Sequence, residues 1–397
     1  MSGSLISRSS DLARLAHEGY AIEVRAGHLL VHDVPHLGPD RQVHRGVLVS
    51  SLTTTVVEGE EVTAPPDTHV IEFAGEVPSD RAGNRLERLI NGEVSKDLGS
   101  GIQARFSFSH KPPGSSGYPD YHEKVVAYVG ILGSHAAAID PDATACTFRV
   151  VEAEEDGSPF LYHDTASARA GIGALSDKLK VDSIAIIGVG GTGSYLLDLL
   201  AKTHVIEIHL YDGDHFRVHN AFRAPGAASI ADLDGGPNKA EHFAAIYGRM
   251  RRGVVAHPYD IDASNVADLQ GAFAVFLAVD PSPAKRAIIE WLEEHEVPFF
   301  DTGIGVDVDA GALSGQVRLT AGMPGRQVSG RSWIPMDAPD GDVALYSTNI
   351  QVGELNALAA VLAVLRWKRY LGFYVDQQEE QHTLFTISGN DIVDDQC

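Results

Sequence analysis

The stretch from Ile184 to Arg223, IAIIGVGGTGSYLLDLLAKTHVIEIHLYDGDHFRVHNAFR, constrains the fold more than any other part of the chain. Ile184–Ile187 is a short apolar, β-branched run, the signature of a buried parallel strand. It ends in Gly188-Val189-Gly190-Gly191-Thr192-Gly193, and the predicted helix that follows carries Leu196, Leu197, Leu199 and Leu200. Tight turns and close approach of backbone to a phosphate both call for residues without a Cβ. The first turn of such a helix offers free N–H groups and a positive dipole end to an anion. A second apolar run, Val205–Tyr211, ends at Asp212, about 20 residues on, where a carboxylate can take ribose hydroxyls. Strand, glycines, helix, strand and acid in that order predict a nucleotide-binding βαβ unit.

At 397 residues the chain exceeds one typical core, so more than one domain is expected. A formal net charge of −23 argues against nucleic acid or an anionic membrane as partner. No apolar run approaches the ~20 residues of a membrane span. The amino terminus lacks an apolar signal core, so a cytoplasmic protein is expected. With only Cys146 and Cys397, neither a disulfide framework nor a four-thiolate zinc site can form.

Residues 1–151 read as a β-rich α+β domain. One amphipathic helix is predicted near Asp11–His17. Strands are predicted near Ala21–Arg25, Leu29–His32, Gly46–Leu52, His69–Phe73, Ala104–Phe108, Val125–Ile131 and Thr147–Val151, split by turn-rich segments such as PHLGPD and KPPGSSGYPD. His28, His32 and His36 are four apart, but Gly27 and Pro35 disfavour a helix, and strand spacing would set neighbours ~13 Å apart. They are read as surface or hydrogen-bonded histidines. Residues 152–180 read as a linker with a helix over Ala166–Lys180 that carries Arg169. Residues 181–397 alternate strands and helices in a doubly wound, Rossmann-like parallel sheet. Further strands are predicted at Val254–Tyr259, Ala274–Val279 and Pro298–Asp301, the last followed by a turn, Thr302-Gly303-Ile304-Gly305. A helix at Ala284–Glu294, a strand at Gln316–Thr320, a helix at Glu354–Tyr370, a strand at Thr383–Ser388 and an acidic tail complete the chain. Ligands in such sheets sit beyond the carboxyl ends of the strands, where Asp212 and Asp280 converge with the glycine loop.

Two nucleotide readings compete. An NAD-dependent oxidoreductase would use the glycine loop for a pyrophosphate and Asp212 for a ribose. It leaves unexplained Asp214, Asn220, Arg223 and Lys239. Cations and an amide this close to the loop suit a triphosphate, with Asp280 placed to carry Mg²⁺.

Taken together, GVGGTG, the acid pair of YDGD, His219-Asn220-Ala221-Phe222-Arg223, Lys239 and FLAVD ending at Asp280 resemble the ThiF/MoeB/ubiquitin-activating family of adenylyltransferases. The resemblance spans roughly residues 165–390. The segments GHLLVHDVP, FSHKPPG and GYPDYHEK make the chain similar to bacterial ThiF-type proteins with an uncharacterised amino-terminal domain. The resemblance implies ATP-dependent adenylation of the C-terminal carboxylate of a ubiquitin-like or sulfur-carrier β-grasp protein, releasing pyrophosphate. Gly188, Gly190, Gly191 and Gly193 would form the nucleotide loop, and Asp212 would bind ribose beside Asp214. Asn220, Arg223 and Lys239 would hold phosphates, and Asp280 would hold magnesium. Arg169 stands where the family supplies an arginine to the partner subunit's γ-phosphate, which implies a homodimer. Two departures stand out: there are no CxxC zinc pairs, and the stretch Ala321–Asp342 lacks the cysteine that many relatives carry there. Peptide-adenylating and tRNA-modifying relatives, and a catalytically dead scaffold, remain alternatives. After adenylation a thiol (Cys146 or Cys397), a hydroxyl (Ser329 or Ser332) or a partner's nucleophile could accept the acyl group, and the scarcity of thiols favours the partner.

Overall fold

The computed structural model describes residues 2–57, 60–112, 114–115, 117–151, 158–162, 164–170, 172–328, 332–336 and 350–395. The chain divides into two compact units, Met1–Ala174 and Leu175–Cys397.

The first unit opens with two helices, α1 (Ser2–Arg8) and α2 (Ser10–Glu18). Strands β1 (Ile22–Arg25), β2 (His28–Leu37), β3 (Val43–Ser51), β4 (Thr54–Val57), β5 (Glu60–Thr63), β6 (Val70–Ala74), β7 (Ile90–Asp97) and β8 (Gln103–Ser109) follow, then helices α3 (Tyr121–Ala136) and α4 (Thr165–Ala170). Six strands form an antiparallel sheet in the order β1-β2-β3-β6-β8-β7, and β4 and β5 form a separate hairpin. Leu12 and Leu15 of α2 join Tyr121, Val125, Tyr128 and Leu132 of α3 in one buried core with Val31, Leu48, Phe73 and Phe108 from the sheet.

Two of the expected strands in this unit do not form. Val125–Ile131 lies inside α3, where Tyr121, Val125, Tyr128, Leu132 and Ala136 recur at helical spacing on the buried face. Asp120 caps the helix by accepting the Glu123 N–H at 2.7 Å. Over Thr147–Val151 there is no strand; Phe148 takes φ +53° and only Cys146 makes a bridge, to Tyr20. Conversely β7 and the β4–β5 hairpin, both dominated by exposed or half-buried polar residues, arise without an apolar signal. His28, His32 and His36 lie on β2, and His32 meets Glu23 at 3.0 Å.

At the junction, the single helix expected over Ala166–Lys180 is two short pieces, α4 and α5 (Gly173–Asp177). The second unit then runs β9 (Ser183–Ile187), α6 (Gly191–Leu200), β10 (Glu207–Tyr211), α7 (Val218–Ala221), α8 (Ile230–Leu233), α9 (Lys239–Tyr247), β11 (Val254–His257) and β12 (Ala274–Leu277). It continues through α10 (Pro283–Glu294), β13 (Phe299–Asp309), β14 (Ala312–Gly322), α11 (Gly353–Tyr370), β15 (His382–Thr386) and β16 (Asp391–Asp395). Its eight strands lie in the order β11-β10-β9-β12-β13-β14-β15-β16. The first five are parallel, with Ile184 opposite both Ile208 and Ala274, and the last three are antiparallel. The order reverses between β9 and β12, the switch point at which doubly wound sheets bind ligands.

Alternation within the apolar runs explains why both faces are covered. Ile184 and Ile186 of β9, with Ala274 and Phe276 of β12, pack against Leu196, Leu197 and Leu200 of α6 and Ala363, Val364 and Trp367 of α11. Ala185, Ile187, Val275 and Leu277 face the other way, onto Ile288, Ile289 and Leu292 of α10. Two expectations are corrected here. Thr302–Gly305 is no turn, because β13 continues through it paired with β14 from Phe299↔Gly322 to Asp309↔Ala312. Nor is the acidic carboxyl-terminal segment a simple tail, since β16 pairs with β15.

Candidate nucleotide site

The loop between β9 and α6 sits at the switch point, and its glycines are required for different reasons. Gly188 has φ +82°, and a Cβ there would lie 2.6 Å from the Ala278 carbonyl oxygen of the neighbouring crossover. A Cβ on Gly193 would lie 1.7 Å from the Gly188 carbonyl oxygen, and one on Gly191 would lie 2.3 Å from Nδ2 of Asn356. These three glycines therefore let the loop, α6 and α11 approach one another. Gly190 is different. Nothing lies within 4 Å of its Cβ position, and it borders a cavity of about 870 Å³. It caps α6 without a side chain, which leaves the helix's first N–H groups without a side-chain acceptor.

Opposite the loop stands a polar wall. Asp212, just past the end of β10, is 5% exposed. Its carboxylate accepts the N–H of Val189 at 2.8 Å and that of Asp214 at 3.0 Å, which ties the glycine loop to the second strand. Burial raises its pKa above the ordinary carboxylate value, and Lys239 opposes the shift. Nζ of Lys239, in the first turn of α9, lies 2.7 Å from Asp214 and 3.4 Å from Asp212. The bond from Lys239 holds the Asp214 pKa down. The α9 start is itself fixed by Asn238, whose side-chain amide donates to the Asp212 carbonyl at 2.8 Å.

Asn220, on α7, is 2% exposed, and its Oδ1 accepts the Arg217 N–H at 3.0 Å. Its Nδ2, also buried, has no hydrogen-bond partner among the described residues, and neither does Nε of Arg223. Burial lowers the Arg223 pKa while the Asp280 charge raises it, so these two groups face each other electrostatically. Asp280 is exposed, three residues beyond the end of β12. Asp212, Asp214, Asn220, Arg223, Lys239 and Asp280 border the same cavity as Gly188, Gly190 and Gly191. Gly193 stands behind the loop against Gly188. Arg169 is on α4 in the first unit, and its side chain lies outside the described residues.

A cavity that presents unsatisfied, desolvated donors beside a helix amino terminus is built for a polyanion, because a buried donor without a partner costs about 1–3 kcal/mol until something accepts from it. The ThiF family model matches residues 165–392, more than half of the chain. The chain belongs to the ThiF family. Residues 10–165 match a domain of unknown function (DUF6791). Among curated proteins, none matches the chain. Similar solved structures include Escherichia coli MccB with succinimide (18% identity, TM-score 0.46, covering 58% of this chain and 70% of that one). E. coli MccB with ATP also aligns (18% identity, TM-score 0.44, covering 58% and 70%). A third is PaaA (14% identity, TM-score 0.43, covering 56% and 75%).

This ThiF-family site contains residues that the sequence alone did not single out. Asn356 in the first turn of α11 borders the cavity, as do Gln351, Thr302 and Lys285. Lys285 belongs to a largely buried ionic cluster at the cavity's edge. Its Nζ lies 2.6 Å from Asp301 Oδ1, and Arg318 Nη2 lies 2.7 Å from Asp301 Oδ2, with Asp301 wholly buried. Nζ of Lys285 also donates to the Val279 carbonyl at 3.2 Å, fixing the segment that leads to Asp280. A pattern-based reading misses this cluster because its members lie in three separate elements with no common spacing. Among the described residues no group of three metal-ligating side chains occurs, and no helix is long and apolar enough to cross a membrane.

Proposed function

We propose that the chain is an ATP-dependent adenylyltransferase that activates the C-terminal carboxylate of a peptide or of a ubiquitin-like or sulfur-carrier protein. One observation carries the reading: among the described residues Asn220 Nδ2 and Arg223 Nε are buried and unpartnered, on the cavity wall that also holds Lys239 and Asp280. Membership of the ThiF family supports it. A dinucleotide pyrophosphate on a glycine loop does not call for this donor set, so an NAD-dependent oxidoreductase is the weaker reading.

In this mechanism the N–H groups at the start of α6 and the Gly190 surface receive the phosphates, and Asp212 receives ribose hydroxyls. Asn220, Arg223 and Lys239 then hold the outer phosphates. One carboxylate oxygen of the substrate attacks the α-phosphorus, forming the acyl–adenylate bond while the bond to the bridging oxygen breaks. Pyrophosphate leaves with that electron pair. The attacking carboxylate is already ionised, so no general base is needed, and the protein contributes positioning and charge. A single carboxylate plus substrate phosphates is a normal magnesium site, and Asp280 would hold the ion, which when bound offsets the phosphate charge. Arg169 of a second copy would add a cation at the γ-phosphate, making the working unit a homodimer.

The test is ATP–pyrophosphate exchange with candidate β-grasp carriers ending in Gly-Gly and with short peptides, alongside calorimetry for ATP and NAD. Exchange stimulated by one acceptor class is expected, and Asp280→Ala abolishes it. Tight NAD binding with no ATP binding overturns the reading.

A further inference from the structure

The first turn of α11 holds a donor that the proposed machinery above does not use. Asn356 is 1% exposed, yet it borders the nucleotide cavity. Its Oδ1 accepts the Thr192 hydroxyl at 3.0 Å, which fixes the plane of the carboxamide against the amino end of α6. Its Nδ2 then lies over Gly191 (2.3 Å from where a Cβ would stand) and has no hydrogen-bond partner among the described residues. Gly353, the first residue of α11, approaches the Arg223 Cα to within 3.9 Å of its Cβ position, and the α11 N-cap, Val352, offers no side-chain acceptor. Elsewhere on its buried side α11 carries Ala359, Ala360, Ala363, Val364 and Trp367, with Arg366 bonded to Asp376. An unsatisfied buried donor is costly unless it has a use.

We propose that Asn356 is a phosphate-binding residue, whose carboxamide nitrogen donates to an oligophosphate held at the amino terminus of α6. Thr192 is its positioning partner: by occupying Oδ1, it turns the donor toward the anion. The same geometry accounts for Gly191, since any side chain there would displace the amide. This inference rests on the reading of the cavity as a triphosphate site, and the probes separate the two.

The experiment is calorimetry on the full chain with inorganic tripolyphosphate, ATP and adenosine, for wild type, Asn356→Asp and Asn356→Ala. The aspartate keeps the oxygen that Thr192 meets and removes the donor; the alanine removes the donor without adding charge. Tripolyphosphate and ATP affinities should fall at least tenfold in Asn356→Asp and at least fivefold in Asn356→Ala, with adenosine affinity within twofold of wild type. Tryptophan-emission melting confirms that each variant is folded. Retained tripolyphosphate affinity in both variants, or parallel loss of adenosine, overturns the assignment and leaves Asn356 as a loop-packing residue. If wild type binds tripolyphosphate but not ATP, the adenylation reading fails while the Asn356 comparison is still decided by tripolyphosphate.

Discussion

Gly190 and Gly193 stand three residues apart in one motif, but they should respond oppositely to a single methyl group. In Gly193→Ala the new Cβ would lie 1.7 Å from the Gly188 carbonyl oxygen. That oxygen belongs to the backbone, so no rotamer change relieves the clash and the loop or α6 must yield by more than an ångström. Overpacking costs ~1–3 kcal/mol where side chains can adjust, and with a backbone obstacle the loss should reach at least the upper end. For a unit spanning Leu175–Cys397, ~3 kcal/mol corresponds to a fall in Tm of roughly 6–12 °C. In Gly190→Ala the Cβ meets nothing within 4 Å, so the cost is confined to the backbone, whose φ of −73° and ψ of −133° lie outside the regions alanine favours. Its stability cost should be ~1 kcal/mol, the low end for a strained backbone position and well under that of Gly193→Ala. Its methyl group instead fills the space where a phosphate would approach, so ATP affinity should drop more than tenfold. The three tryptophans, Trp291, Trp333 and Trp367, all belong to the second unit, so emission during a thermal ramp reports that unit alone, and calorimetry reads ATP. A Gly190→Ala protein that melts as early as Gly193→Ala, or that binds ATP as wild type does, would falsify the division between packing glycine and ligand-facing glycine.

Asp301→Ala leaves Lys285 and Arg318 buried without their counter-charge and should lower stability by ~3–5 kcal/mol in urea titration; a loss under ~1 kcal/mol would show that the cluster is dispensable. Glu18 accepts a hydrogen bond from His122 at 2.9 Å, which holds its pKa below the usual 4.5. The folded state therefore binds fewer protons than the unfolded chain, and the stabilisation is complete above pH 4.5 and fades as pH falls through the depressed value. His122→Gln should flatten that acid limb of the melting profile, and an unchanged limb removes the pair as its source. Mixing Arg169→Ala with Asp280→Ala subunits should restore pyrophosphate exchange if the arginine acts across a homodimer; mixed dimers without recovered activity count against action in trans.

The sequence was most legible where chemistry and fold make the same demand. Glycines at 188, 191 and 193 are forced by packing and by the nucleotide turn alike, so the motif, the strand before it and Asp212 could be located from residue order. The ThiF-type sheet followed from alternating apolar runs whose two faces are both buried. Legibility failed where a segment's period was ambiguous. Val125–Ile131 contains enough β-branched residues to suggest a strand, but Tyr121, Leu132 and Ala136, outside that seven-residue window, complete the helical face begun by Val125 and Tyr128. Thr302–Gly305 looks like a turn because glycine alternates through it. In the sheet Gly303 permits close packing instead, since a Cβ there would lie 2.6 Å from the Arg318 guanidinium, while a Cβ on Gly305 would meet nothing within 4 Å. Asn356 was invisible for another reason. An asparagine in the first turn of a helix is ordinary in any sequence, and only the loop packed against it from 164 residues away gives it meaning.

The fate of the acyl group bears on how this chain differs from relatives that carry a cysteine beyond the nucleotide core. Ser329 and Cys397 lie outside the described residues, and Ser332 is exposed. Cys146 is half-buried in the first unit, paired through its backbone with Tyr20. Burial, with the neighbouring thiol adding to it, pushes the Tyr20 hydroxyl up to about 12, so the thiol sits against a neutral phenol. A reactive thiolate needs positive charge, a helix amino terminus or a neighbouring base to lower its pKa. Cys146 takes its place through backbone pairing, in a segment held by Arg45, which donates to the Thr144 carbonyl at 2.7 Å. That environment suits a structural cysteine. It favours handing the adenylate directly to a nucleophile of another molecule, in which case replacing both cysteines with alanine leaves carrier-dependent turnover intact. Loss of turnover in a folded double variant would instead require a thioester and would return the search to Cys397.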